Sequence, residues 1–267
     1  MHGTSARELG TMSSLSASEL PIALPGYSER FEQDCEWCVA RVDGEWREFR
    51  FHDYDRLYEV EGLYERIFYD VLRCDSPPVV RQHLDRALRA AGVRAGELRG
   101  LDLGAGNGIM GRELLGLGFE AVVGVDIIPE AAEAAERDRP GTYADYYVVD
   151  MTDLDDETRA SMAEHRFNAL TCVAALGFGD IPPRAFSEAY NLVEPGGWVA
   201  FNIKEEFLDG NGYRSGFARL IGDSMDDGSL EIRAQERYRH RDATNGDPIH
   251  YVAMVGTKRR DMEHPED

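Results

Sequence analysis

The stretch "LDLGAGNGIMG", residues 101–111, decides how the rest of the chain is read. It runs from apolar residues through Asp102 into glycines at 104, 106, 108 and 111. Glycine lets a strand turn sharply into a helix and lets a ligand lie against bare backbone. A dinucleotide loop has the form G-x-G-x-x-G. Counting from Gly104, its third glycine would stand at 109, where this chain has Ile109. A phosphate loop needs Gly-Lys-Ser/Thr, but Ile109 and Met110 follow Gly108. The loop carries no positive charge. Asp102 precedes it, and Asp126 closes the next apolar run. Two carboxylates beside the ligand suit a cation bearing a ribose better than a pyrophosphate.

Working outward, apolar runs alternate with helical patterns from about residue 98. "LRGLDLG", "EAVVGVD", "YYVVD", "FNALTCVAAL" and "WVAFNIK" read as strands. Between them, "GIMGRELLGLG", "PEAAEAAERD", "DETRASMAEH" and "PRAFSEAYNLV" read as helices, with proline at helix starts and glycine at stops. This rhythm predicts β-α-β units and a parallel sheet covered on both faces. After a helix near "GFARLIGDSM", two further strand-like runs, "SLEIRAQERYRHR" and "IHYVAMVGTKR", flank the turn-rich "DATNGDP". The expected fold class is therefore α/β: a seven-stranded, mostly parallel sheet with helices on both faces and a C-terminal antiparallel hairpin. An N-terminal hairpin and helical cap precede it.

That cap is expected over residues 27–97, after a disordered tail over 1–26 and before the α/β unit of 98–267. "CEWCVARVDGEWREFRF" reads as a hairpin turning at Asp43-Gly44. In "SPPVVRQHLDRALRAAGV" the serine is expected to cap a helix whose first turn holds the prolines. Cys35 and Cys38 form a C-x-x-C without a second half at zinc-like spacing. The four cysteines are read as structural, and no metal is expected.

The 267 residues carry 50 acids against 29 bases, a formal charge of −21. Nucleic-acid binding needs a basic face, so no nucleic-acid partner is expected. No apolar run nears the roughly 20 residues that span a bilayer, and no signal-peptide pattern opens the chain. The expectation is a cytoplasmic protein, monomeric or homodimeric, without a membrane partner.

"LDLGAGNG" resembles motif I of the class I, Rossmann-like methyltransferases, which use S-adenosylmethionine (SAM). The resemblance extends to the acid of "GVDII", the acid of "VVDMTD", the "EPGG" before the fifth strand and the terminal hairpin, over residues 98 to about 258. It implies that 98–267 is a SAM-binding methyltransferase domain and that SAM is the cofactor. Gly104, Ala105, Gly106 and Gly108 would approach its methionine part. Asp102 would orient its ammonium, Asp126 would take both ribose hydroxyls, and Ile127 would pack on the adenine. Asp150 would accept from the adenine amino group beside Met151, although capping the next turn is an alternative role. Val173 and Ala174 would flank the methionine. Tyr69, in a "YD" 33 residues before Asp102, would touch the carboxylate end or else belong to its helix's apolar stripe.

Methyl transfer needs alignment and exclusion of water, and a general base only where the acceptor must lose a proton. The catalytic residue is thus unknown from the sequence. Candidates are Glu205 (with Lys204 and Glu206) after the fifth strand, Phe178 and Asp180 after the fourth, and His52, Asp53 and Tyr54 in the cap. His83 is read as solvent-facing, and His240 and His250 as surface residues of the hairpin. The [ND]-P-P-[YF] motif of nucleic-acid amino methylation is missing, because "DIPPR" lacks the aromatic. The aromatic density of residues 46–69 suits an apolar or aromatic ligand, or equally plain packing. The reading is a SAM-dependent methyltransferase for a small molecule, through oxygen or nitrogen. The alternatives are a non-catalytic SAM-binding regulatory protein and a protein or tRNA methyltransferase.

Overall fold

A computed structural model describes residues 20–25, 33–176, 180–208 and 216–265. Two sheets organise it. The first comprises β1 (Ile22–Ala23), β2 (Trp37–Val42) and β3 (Glu45–Arg50), all antiparallel. β2 and β3 form the expected hairpin. Asp43 and Gly44 both have positive φ, 54° and 85°, which is the backbone a two-residue turn between right-twisted strands requires. Cys38, Ala40 and Val42 alternate inward along β2, while Cys35 is exposed, and none of the four cysteines is in a disulfide among the described residues. Most of the tail expected over 1–26 lies outside the described residues. Within it, Ile22–Ala23 pairs with β2, so that piece belongs to the cap sheet.

Helices α1 (Tyr54–Glu59) and α2 (Leu63–Glu65) follow, the latter running into a wide π turn over Arg66–Val71. Leu57, Leu63, Ile67 and Leu72 join Cys38, Phe49 and Phe51 in a core of the cap's own. α3 (Ser76–Ala91) carries Val80, Leu84 and Leu88 on one face at helical spacing and stops at Gly92 in the left-handed region. Its serine does not cap it. Ser76 Oγ instead lies 2.6 Å from both His240 Nδ1 and the Tyr238 hydroxyl, where burial rewards a partner more than an exposed helix end does.

The second sheet holds β4 (Arg99–Leu103), β5 (Ala121–Asp126), β6 (Asp145–Val148), β7 (Ala169–Leu176), β8 (Trp198–Lys204), β9 (Leu230–Asp242) and β10 (Pro248–Lys258). Its order is β6-β5-β4-β7-β8-β10-β9. The first five are parallel, and the hairpin β9–β10 adds antiparallel beside β8, as expected. Alternation sorts the side chains into two layers. Leu101, Leu103, Val199, Phe201, Val252 and Met254 face one core with α6 (Asp156–Glu164), α7 (Pro183–Asn191) and α8 (Phe217–Asp226). Trp198, Ala200, Ala253 and Val255 face the other with α3 and α4 (Ile109–Leu117). The remaining helix, α5 (Pro129–Asp138), packs alanines 131 and 134 against Tyr58 of the cap.

Two readings are corrected. His83 is buried, 3.5 Å from Glu236, because α3 packs against the hairpin strands. His240 is also buried, stacked 4.0 Å from the Tyr251 ring, because the cap covers this end of the hairpin. Among the described residues no helix is long and apolar enough to cross a membrane.

Candidate active site

β4 pairs with β5 on one side and β7 on the other, so the strand order reverses there. In such sheets the crevice beyond the carboxyl ends at the reversal is the natural ligand site. A cleft lies at that point, with about 760 Å³ of open space including its mouth. Its floor is Gly104 after β4, Asp126–Ile128 after β5, Asp150 and Met151 after β6, and Val173–Ala175 on β7. Its far wall is aromatic: Tyr54, Tyr58 and Tyr64 of the cap.

The glycine loop is pinned to the sheet, because the Gly104 and Ala105 N–H groups both donate to the Val125 carbonyl, at 2.9 and 3.0 Å. At Gly104 the backbone requires glycine twice over. φ is +68°, and a Cβ there would stand 2.8 Å from Ile181 and 2.9 Å from Ala175 across the cleft. Asp126 accepts from the Gly106 N–H at 2.9 Å and from the Ile128 N–H at 3.1 Å, which aims the carboxylate along the cleft floor. Burial raises its pKa, and the two backbone donors oppose the rise. Ile127 is 57% exposed although large and apolar, so it presents a hydrophobic lip. Asp150 Oδ1 accepts from Thr152 N–H and Oγ1 at 2.8 and 2.7 Å. It therefore caps the next turn and lines the cleft at once. At Ala174 the φ is +60°, a strained value for a residue with a Cβ, held by its N–H donating to Asn202 Oδ1 at 2.6 Å.

Other expected residues stand elsewhere. Asp102 is buried behind the loop. Thr171 Oγ1 and the Tyr143 hydroxyl donate to its two oxygens at 2.7 and 2.8 Å, and burial pushes its pKa up to about 6. It braces the loop rather than facing the cleft, because both oxygens already have internal donors. Ala105, Gly106 and Gly108 are likewise absent from the lining. Gly106 lies under the Tyr58 hydroxyl, and Gly108 starts α4. Tyr69 packs against the Tyr64 ring in the cap core, 6.3 Å between centroids, and does not line the cleft. The neighbouring aromatics Tyr54, Tyr58 and Tyr64 do; Tyr54 is among the cap candidates, while for Tyr58 and Tyr64 the sequence signal is the aromatic density of 46–69.

A second cavity, about 480 Å³ including open solvent at its mouth, adjoins the first and shares Tyr54, Tyr64, Ala174, Ala175 and Asp180 with it. Phe51, Phe68 and Tyr251 add rings to its wall, and His52, Cys74, His240 and Arg241 add polar groups. His52 Nδ1 lies 3.0 Å from Asp180 Oδ2. The buried Arg241 pairs with the buried Glu36 at 2.5 Å, and Glu36 also accepts from the Thr244 N–H at 2.6 Å. Burial, with Arg241 beside it, holds the His240 pKa well below the usual histidine range. Of the catalytic candidates, the structure brings His52 and Asp180 together. Glu205 instead pairs with Arg237 of β9 at 2.9 Å and lines neither cavity. Phe178 lies outside the described residues.

A parallel sheet with a reversed end hairpin and an acid-floored cleft at its switch point defines a Rossmann-like domain of the nucleoside-binding kind. Comparison with known proteins specifies it. Residues 101–201 match the methyltransferase domain family. The ubiquinone biosynthesis O-methyltransferase of Burkholderia vietnamiensis is 32% identical over 130 residues, 48% of this chain and 51% of that one. Its counterpart in Burkholderia ambifaria is 32% identical over 127 residues, 47% and 50% of the two chains. The chain thus spans about half the length of the curated relatives it matches. The crystal structure of the N-methyltransferase NodS from Bradyrhizobium japonicum, with S-adenosylhomocysteine (SAH), shares the fold. Its TM-score is 0.50 at 11% identity, covering 78% of this chain and 97% of that one. Over residues 101–201 the chain is thus similar to methyltransferase domains, and it shares its fold with a methyltransferase solved with SAH.

Proposed function

We propose that this protein transfers the methyl group of SAM to a small molecule. The observation that carries the reading is Asp126. It is a carboxylate at the end of β5, aimed along the floor of the switch-point cleft by two backbone donors and flanked by an exposed isoleucine. An ionised carboxylate accepts from two hydroxyls at once, which suits a ribose diol. Ile127 offers the adenine an apolar surface, and Asp150 with Met151 stands where an exocyclic amine can donate. Gly104, Val173 and Ala174 leave room for the methionine part, since any side chain at 104 would close the cleft. Bound there, SAM supplies an electrophilic methyl group on a sulfonium.

The chain's own residues align and enclose. Tyr54, Tyr58 and Tyr64 cover the cleft from the cap side, and exclusion of water strengthens each polar contact beneath them. The adjoining chamber is small and ring-lined, which supports a small-molecule acceptor over a protein or tRNA. The names of the curated relatives support oxygen as the acceptor atom.

Titration calorimetry with SAH and with NAD tests the cofactor. The wild type should bind SAH and not NAD. Asp126→Ala should weaken SAH binding by about 100-fold, as loss of two hydrogen bonds to a charged group implies. Binding of NAD alone, or an unchanged SAH affinity in the variant, would contradict the assignment. Binding of SAH without turnover on any small molecule would favour a regulatory protein, and methylation of protein or tRNA alone would move the substrate class.

A further inference from the structure

The C-terminal end of β7 does not run flush with β8. Cys172 stands opposite Phe201 and Leu176 opposite Ile203, so Val173, Ala174 and Ala175 face Asn202 alone. On its other side β7 pairs with β4 only as far as Thr171. The bulge therefore falls where the sheet opens into the cleft, and all three of its residues line that cleft. Extra residues in one strand bend it and re-aim its side chains. Here they also set the width across from the glycine loop, since a Cβ at Gly104 would stand 2.9 Å from the Ala175 Cβ.

A bulge interrupts the ladder, and Ala174 within it takes a φ of +60°, where a Cβ strains the backbone. The Asn202 side chain supplies the missing tie. Its Oδ1 accepts from the Ala174 N–H at 2.6 Å. Its Nδ2 donates to Ser76 Oγ of α3 at 2.9 Å and to the Tyr238 hydroxyl of β9 at 2.5 Å. The amide has one orientation, because an N–H can only donate and the atom facing Ala174 must be the oxygen. Asn202 is fully buried between the equally buried Phe201 and Ile203. A buried amide is unfavourable without partners and rigidifies its surroundings when both ends have them. An apolar strand has no packing need for an amide at this position; the bulge opposite does.

We infer that Asn202 is the positioning residue for the cofactor's methionine end, holding β7 in the bulge against which that part of SAM lies. This rests on the cleft holding SAM. Asn202 itself does not line the cleft and acts through Ala174. The adenosine end belongs to Asp126 and Asp150, whose donors Gly106, Ile128 and Thr152 lie on neither β7 nor β8. Loss of the tie should be felt at one end of the ligand only. An amide that merely stabilised the fold would affect both ends alike or neither.

Two ligands separate the ends: SAH spans the whole cleft, and adenosine only the end at Asp126. Their affinities are measured by calorimetry for the wild type, Asn202→Leu and Asn202→Asp, with circular dichroism as the check on folding. Leucine fills similar space and removes the tie. It should weaken SAH by about 10-fold or more, as release of a strained residue implies, and adenosine by no more than a few fold. Aspartate keeps an acceptor for the Ala174 N–H, with two hydroxyls able to donate to its other oxygen. It should keep most of the preference for SAH over adenosine. Equal losses on both ligands, no loss on SAH, or a loss with aspartate as large as with leucine would overturn the positioning role. Should Asn202→Leu not fold, Asn202→Asp decides: a preference near that of the wild type supports the tie, and its collapse overturns it. A wild type that binds neither ligand would instead overturn the cofactor reading beneath the proposal.

Discussion

The cofactor cleft and the second chamber share a wall but are assembled on different length scales. The bonds that shape the cleft floor are local: Asp126 takes donors 2 and 20 residues away, and Asp150 one 2 residues away. The chamber is closed by contacts across the whole chain. His52 meets Asp180 over 128 residues, and Glu36 meets Arg241 over 205. The floor also relies on backbone groups, which differ little between side chains. The chamber relies mainly on side chains, with the Thr244 N–H the backbone donor to Glu36.

The largest expected effect tests whether the cap is held by its long-range pair. Arg241→Ala leaves the buried Glu36 without its guanidinium, with the Thr244 N–H still donating to it, and should cost about 3–5 kcal/mol. Hydrogen exchange should show the loss concentrated in residues 37–72, with β4 and β5 keeping their protection. A uniform loss would mean that cap and sheet unfold as one unit, against the separate core of the cap.

Asp102 tests the cleft half. A carboxyl that titrates near 6 when folded and near the ordinary range of about 4 when unfolded binds its proton preferentially in the folded chain. Its stabilising contribution is therefore full below about pH 4 and is lost as pH rises through about 6. Asp102→Asn should remove that slope, a difference of about 2–3 kcal/mol between the two ends. Urea midpoints of wild type and variant across this range would show it, and parallel curves would refute it.

The smallest effect lies on the shared wall. Ala174→Gly relieves a positive φ but loosens the unfolded chain, so a net stabilisation below about 1 kcal/mol is expected. A lower thermal midpoint would mean that the alanine methyl packs better than the strain costs.

Legibility in the sequence follows the same division. The strand and helix rhythm from residue 98, the Asp43-Gly44 turn and the proline start of α7 could all be read, because each depends on neighbours a few residues apart. So could Asp126, Ile127 and Asp150, whose places follow from strand ends. Asp102 could be placed on β4 but not oriented, since its donors Tyr143 and Thr171 come from the loop before β6 and from β7. Spacing points to Tyr69 rather than Tyr58 or Tyr64 because it does not show which ring of a crowded segment turns outward. His83 and His240 look like surface residues until the packing of α3 and the cap over the hairpin is known.

By itself, then, the sequence determined a parallel sheet with a reversed hairpin and a glycine loop lacking both the third dinucleotide glycine and the phosphate-loop lysine. Local periodicity and backbone sterics are enough for that. Only the tertiary structure decided which carboxylate faces the cleft, which tyrosines wall it, and that His52 and Asp180 meet at its edge. Those depend on burial and on contacts between residues far apart in the chain, where no local pattern carries the information.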